Sequence, residues 1–171
     1  MSEAAPPPVQ GMPEPRRENL LGNRDYAAAV DTVIARTMSR IRVFDRSLGR
    51  DYNSDTRCEA LRSLLLADRS NRVRIVVHDV EHVRRDCPRL VALLRHFGHG
   101  IAIHRTTSIA RGVYDAFCIA DGSHYARRFH FDNPRGVLVF DDYEGSADLV
   151  QRFEEIWEAS QPAVLPTTLG L

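Results

Sequence analysis

The sequence predicts a single α/β domain built on a mixed β-sheet, with helices packed on both faces. Three observations carry that expectation. Helix-spaced and strand-like apolar segments alternate through the first half, which is the pattern of parallel strands joined by crossover helices. In the second half, Asp121-Gly122 separates two strand-like runs and predicts a hairpin, so antiparallel pairing joins the parallel part. The 171 residues are 43% hydrophobic and 27% charged, enough for one self-sufficient core and too few for two full domains.

Taken in order, residues 1–22 hold five of the nine prolines and no periodic apolar pattern, and read as a disordered leader. The domain is expected over 23–160, followed by a tail over 161–171. Tyr26, Val30, Val33, Ile34 and Thr37 fall at helical spacing, and Ile41 to Phe44 then reads as a strand. Cys58, Leu61, Leu64 and Leu65 mark a second helix. Val73, Ile75, Val76 and Val77 make a compact strand of the kind buried in mid-sheet. Pro88 suits the first turn of a third helix, with Leu90, Val91, Leu94 and Phe97 inward. Ile101 to His104 resumes as strand, and Val113 to Ala120 and His124 to Phe131 form the arms of the hairpin. Val137 to Phe140 is one more strand. Ser146 is a plausible N-cap for a closing helix, whose stripe is Leu149, Val150, Phe153, Ile156 and Trp157.

Composition excludes several functions. All 23 basic residues are arginine and the chain has no lysine, which removes a Walker-type phosphate loop, Schiff-base chemistry and a lysine general base. Arginine stays protonated, so it can grip phosphate or carboxylate but cannot act as a base. A net charge of zero argues against general attraction to DNA or to an anionic membrane. Cys58, Cys87 and Cys118 are an odd, widely spaced set that fits neither a disulfide framework nor a zinc site. No apolar run is long enough to span a bilayer and no signal peptide is evident, so the expected compartment is the cytoplasm.

From Asp25 to Ser160 the arrangement resembles one half of a phospholipase D-like protein. The family's signature is a histidine, any residue, a lysine, four residues, then aspartate and glycine. Here the segment is Tyr114-Asp115-Ala116-Phe117-Cys118-Ile119-Ala120-Asp121-Gly122. The spacing is kept, yet Tyr114 stands for the histidine and Ala116 for the lysine; Asp121 alone matches. The stretch from Asn133 to Phe140, the Phe153-x-x-x-Trp157 pattern, and the ending Ala159-Ser160-Gln161-Pro162 with Leu169 and Leu171 are similar to a degenerate bacterial branch of the superfamily. The resemblance implies a histidine nucleophile and a phosphate-holding lysine in active members. A tyrosine phenol is a poor nucleophile at neutral pH and alanine supplies no charge, so no phospholipase D chemistry is expected. It also implies pairing of two units around the former active site, as a homodimer or with a partner enzyme.

The candidate ligand-binding residues are His104, Arg111, Tyr114, Asp121, Arg128 and His130. Strand alternation is expected to place Arg128 on the same face as His124 and His130, where the three could grip an anion. The opposite stripe, Tyr125, Phe129 and Phe131, reads as core or as a stacking surface for nucleobases. Asp121 also reads simply as the first residue of its turn. His78, Asp79 and His82 lie where open α/β sheets place ligands, though their spacing gives no clear metal site. Asp141, Asp142 and Glu144 read as solvated charge, with a weak divalent-cation site as the alternative, and Cys118 as packed and inert. No catalytic residue, metal or cofactor is expected. The leading functional expectation is a non-catalytic domain that binds or scaffolds, with a phosphate-bearing ligand or protein as partner. The alternatives are a phosphodiesterase or phosphotransfer enzyme using His104 or His130, and a structural accessory domain.

Overall fold

In the computed structural model, residues 11–166 are described. The order is β1 (Arg16–Leu21), α1 (Gly22–Ala35), β2 (Arg40–Asp45), α2 (Asp55–Ala67), β3 (Arg72–Val77), α3 (Glu81–Asp86), α4 (Pro88–His96), β4 (Ile101–Thr106), β5 (Ala116–Ala120), β6 (His124–Arg128), β7 (Arg135–Phe140), α5 (Tyr143–Glu158) and β8 (Ser160–Val164). The strands form a single eight-stranded sheet in the order β1-β7-β6-β5-β2-β3-β4-β8. The β2–β3 and β3–β4 pairs are parallel, as crossover helices α2 and α3–α4 require, and every other pair is antiparallel.

Side-chain alternation divides the core in two. Ile41, Val43, Val73, Ile75, Cys118 and Ala120 point to the face covered by α1, α2, α3 and α4. Phe44, Val76, Phe117 and Ile119 point to the other face, where α5 packs through Leu149, Phe153 and Ile156. The mixed sheet with helices on both faces is thus the architecture expected from the sequence. The Asp-Gly turn is also as expected: Asp121 (φ 53) and Gly122 (φ 74) occupy successive left-handed positions. Cys118 is fully buried, and burial pushes its thiol up to about 12.

The structure departs from expectation at both ends. Within the presumed leader, Arg16–Leu21 forms an edge strand antiparallel to β7, although its side chains are largely exposed. Exposed polar edge strands lack the apolar alternation that marks a half-buried one, so the signal was absent. Within the presumed tail, Ser160–Val164 pairs with β4 as the other edge, despite Pro162. Residues 1–10 of the leader and Leu169 and Leu171 of the ending lie outside the described residues. The closing helix is capped not by Ser146 but by Asp142, whose carboxylate accepts from the Gly145 N–H at 2.8 Å. Ser146 instead lies buried in the first turn. A short helix, α3, precedes the helix that opens at Pro88.

Candidate functional site

Strand β5 carries the spacing that resembles the signature, and its first residue marks the site. Ala116 is 1% exposed and faces α1 along with Cys118 and Ala120. Its register partner on β6 is Arg128, and Arg128 is in turn paired with Gly136 on β7. An arginine therefore lies between two of the smallest side chains. Its Nε donates to the Asn133 carbonyl at 2.9 Å and one terminal nitrogen donates to Asn23 Oδ1. Among the described residues Arg128 forms no ion pair.

Arg128 borders a cavity of about 300 Å³ at the carboxyl end of β2, lined also by Asn23, Tyr26, Asp45, Tyr52 and Arg57. Arg57 is already neutralised: its Nε donates to Asp31 at 2.6 Å, and a terminal nitrogen donates to the Ala27 carbonyl at 2.9 Å. Burial raises Asp45 to about 6, against the opposing pull of the Arg46 N–H and the charges of Arg128, Arg46 and Arg57. The phenols of Tyr26 and Tyr52 are held in their neutral form, chiefly by burial. The cavity thus combines one unpaired cation, two hydroxyls and a carboxyl that is easily protonated. That set can accept an oxyanion, and it offers no ready nucleophile.

Tyr114, 54% exposed, is not among the residues lining this cavity, and its ring stacks on His130 at a centroid distance of 5.5 Å. The Phe131 N–H donates to the Tyr114 carbonyl at 2.7 Å, which fixes the loop after β6 against the start of β5. His130 therefore lies beyond β6, not on the strand face shared by His124 and Arg128. Its Nδ1 accepts from the Asp132 N–H at 3.1 Å, so in the neutral ring the proton sits on Nε2. Arg46 lies over Phe131 at 4.9 Å and pairs with Asp132 at 3.2 Å.

The other sequence-derived candidates are dispersed. His104 stacks on Trp157 at 3.7 Å on the α5 side of β4, and its Nδ1 donates to Ser160 Oγ at 2.9 Å. Burial and the charge of Arg74 hold its pKa below the usual range. Strands β2 and β3 separate it from Tyr114. Asp121 stands at the other end of β5, about 20 Å from Tyr114 at the rise of a strand. Its carboxylate accepts from the Met38, Ser39 and Arg40 N–H groups and from Ser39 Oγ at 2.7–2.9 Å. Partial burial opposes its ionisation, but those four donors prevail and lower its pKa. The motif aspartate is a clamp on the loop before β2 rather than a neighbour of Tyr114. Arg111 is exposed beyond β4, close enough for its charge to act on His78.

His78 has a structural task. Its Nε2 donates to the Val113 carbonyl at 2.7 Å and its Nδ1 accepts from Thr106 Oγ1 at 2.6 Å, tying the ends of β3 and β4 to the loop before β5. Burial lowers its pKa, partly offset by the Val113 bond, so the ring stays neutral. Both ring nitrogens are spent, and His82 pairs instead with Asp86 at 3.1 Å. Among the described residues no group of three or more His, Cys, Asp or Glu is placed to hold a metal. Of the aromatic stripe, Tyr125 is core, with its hydroxyl donating to Asp142 at 3.0 Å, and Phe129 is exposed.

Asp115 escaped sequence reasoning because a carboxylate beside a signature position carries no signal of its own. It is 3% exposed and is gripped by Arg127 at 3.2 Å from β6 and by Arg152 at 2.6 Å from α5. This clamp fixes the start of β5, and with it Ala116 and Tyr114. Asp45 had a usable signal, since it ends a central parallel strand where open α/β sheets bind ligands.

Comparison of folds places this geometry. Nuc, a phospholipase D family member from Salmonella typhimurium, superposes with a TM-score of 0.62 at 15% identity, covering 88% of this chain and 99% of Nuc. NucT from Helicobacter pylori gives 0.59 at 15% identity, with 88% and 100% covered. TrmBL2, an archaeal chromatin protein with a novel mode of DNA binding, gives 0.62 at 14% identity, covering 92% of this chain and 56% of TrmBL2. The fold is therefore that of phospholipase D-like proteins. No curated protein sequence matches the chain. Residues 22–165 match the family model described as a domain of unknown function, DUF7931, and the chain belongs to that family.

Proposed function

We propose that this chain is a non-catalytic phospholipase D-like domain that binds a phosphate-bearing ligand in the cavity beside Ala116. The observation that carries this reading is the position of Arg128 across the ladder from Ala116. A cation is supplied from the neighbouring strand where the signature lysine is missing, while the nucleophile position holds Tyr114. Arg128 offers the planar fork that phosphate oxygens favour, and Asp45, raised to about 6, becomes a donor instead of a repelling carboxylate as pH falls below that value. Binding without a nucleophile fits a scaffold better than an enzyme.

The domain is proposed to act in the cytoplasm, where its free thiols Cys58, Cys87 and Cys118 stay reduced, and as a homodimer or beside a partner enzyme. Exposed Tyr114 and Ile109, 54% and 84% accessible, support a second chain packing on the segment between β4 and β5. Analytical ultracentrifugation reads the association state directly.

The test of function is calorimetric titration with inorganic phosphate, sulfate, short oligonucleotides and phospholipid head groups, run beside a phosphodiesterase assay. Binding without turnover is expected, with Arg128→Gln weakening the binding about tenfold. Turnover that disappears in His130→Ala or His104→Ala would replace this reading with that of an enzyme using a substitute histidine. Oligonucleotides belong in the panel because TrmBL2, 56% of which this chain covers, is a DNA-binding chromatin protein.

A further inference from the structure

At the opposite end of the sheet, on the α5 face, the parallel register sets Arg40 beside Arg72 and Arg42 beside Arg74. These four arginines, with Ile41, line a cavity of about 310 Å³. Neighbouring strands lie about 4.8 Å apart and alternate residues about 6.6 Å apart, so the four arginines spring from a compact two-by-two set of backbone positions. Like charges at such spacing repel, and each buried one also loses solvation.

The counter-charge present is insufficient. Glu154 of α5 serves the inner pair, accepting from Arg42 Nε at 3.0 Å and from Arg74 at 2.9 and 2.5 Å. Hydrogen bonding from Arg74 holds its carboxyl below the usual range against partial burial. Arg42 is nearly buried, with a side chain 10% exposed, so this pairing is what permits it to sit inside the sheet. The outer pair has no such partner: among the described residues neither Arg40 nor Arg72 forms an ion pair. The carboxylate of Asp121 spends its oxygens on the loop before β2, including the Arg40 N–H. Even with Glu154 and Asp121 both counted, four cations face two anions. Arg72 is also pre-positioned, since its Nη1 donates to the Arg69 and Asn71 carbonyls at 2.7 and 2.8 Å.

We propose that this cavity is a second anion site, distinct from the one beside Ala116, and that it takes a di- or triphosphate group. Arg40 and Arg72 supply the direct hydrogen bonds, and Arg42 and Arg74 supply the field behind them. An excess of two positive charges and a volume larger than one phosphate needs favour a polyphosphate over a monoanion. Inorganic polyphosphate and the tail of a nucleotide share this chemistry. The site lies across the sheet from Arg128, so neither site depends on the other.

The experiment is calorimetric titration of the Arg128→Gln protein, in which the first site is weakened, with inorganic triphosphate and with a nucleoside triphosphate at low salt. One bound triphosphate per chain is expected. Adding Arg40→Gln and Arg72→Gln, both at solvent-facing positions, should weaken it at least tenfold. Glu154→Gln should act in the opposite direction and tighten binding several-fold, because it frees two guanidiniums and removes a negative charge. Equal affinity for the two ligands identifies the polyphosphate alone as the recognised group; tighter nucleotide binding adds a contact from the nucleoside. No binding to the Arg128→Gln protein, or unchanged affinity in the Arg40→Gln, Arg72→Gln variant, overturns the proposal.

Discussion

Arg128 is the cross-strand partner of Ala116, so the cation missing from one strand returns on the next. Its hydrogen bonds to Asn133 and Asn23 aim the guanidinium without neutralising it. Replacing it with glutamine keeps a donor of similar reach but deletes the charge. Arg128→Gln is expected to weaken phosphate or sulfate binding about tenfold, equivalent to about 1.4 kcal/mol, with little change in melting temperature. Equal affinity in the variant would remove Arg128 from the site.

Asp45 gives the cavity a pH signature. A free aspartate ionises near pH 4, whereas burial raises this one to about 6 in the folded chain. Between those values the folded state binds more protons than the unfolded state. Asp45 therefore lowers stability as pH rises from about 4 to 6, and the penalty is constant above that. Asp45→Asn keeps an acceptor for the Arg46 N–H and should stabilise the protein at pH 7 by on the order of 1–3 kcal/mol, with no gain below pH 4. Urea denaturation of both proteins across this range reads the difference. His78, held neutral by burial, acts in the opposite sense as pH falls below about 6.5, and comparing the two proteins cancels its effect. A pH-independent difference would contradict the assignment.

The clamp on Asp115 is expected to dominate local stability. Its carboxylate is 3% exposed, while the Arg127 and Arg152 side chains that hold it are 34% and 43% exposed. Removing one member of a buried pair commonly costs 3–5 kcal/mol because the other is stranded. Here the stranded arginines keep access to water, so Asp115→Ala should cost about 2 kcal/mol in urea denaturation. A loss under about 0.5 kcal/mol would show that α5 and β6 hold the start of β5 without it.

What the sequence made legible follows from where the signals live. The apolar runs at Val73–Val77 and Val113–Ala120 and the Asp121-Gly122 turn are local patterns, and they led to the sheet and its hairpin. Arg128 was legible as a candidate, but its pairing with Ala116 depends on register, which the loop length alone does not set. His104, Asp121 and Tyr114 looked like neighbours because they are close in sequence order around one strand. A strand separates its two ends by its full length, and two strands stand between β5 and β4. The charged residues Arg42 and Arg74 within apolar strands were a signal of the same kind as Asp45. A charge inside a central strand requires a partner, and here the partner is more than seventy residues away on α5.

Gly136 completes the row that houses Arg128, and it tests whether that row must stay narrow. A Cβ at this position would lie 2.6 Å from the Arg127 carbonyl oxygen, a backbone atom that cannot swing aside. Gly136→Ala must therefore push β7 away from β6, at a cost of about 1–3 kcal/mol for overpacking, and carry the Arg128 backbone with it. Gly112, in the loop before β5, has open space around its Cβ direction, so Gly112→Ala controls for loss of glycine as such. Gly136→Ala is expected to lower both the melting temperature and the affinity for sulfate, whereas Gly112→Ala should change neither appreciably. If Gly136→Ala proves as stable and as tight-binding as the parent, the small residue does not hold the guanidinium in place, and the two small neighbours of Arg128 have no bearing on ligand capture.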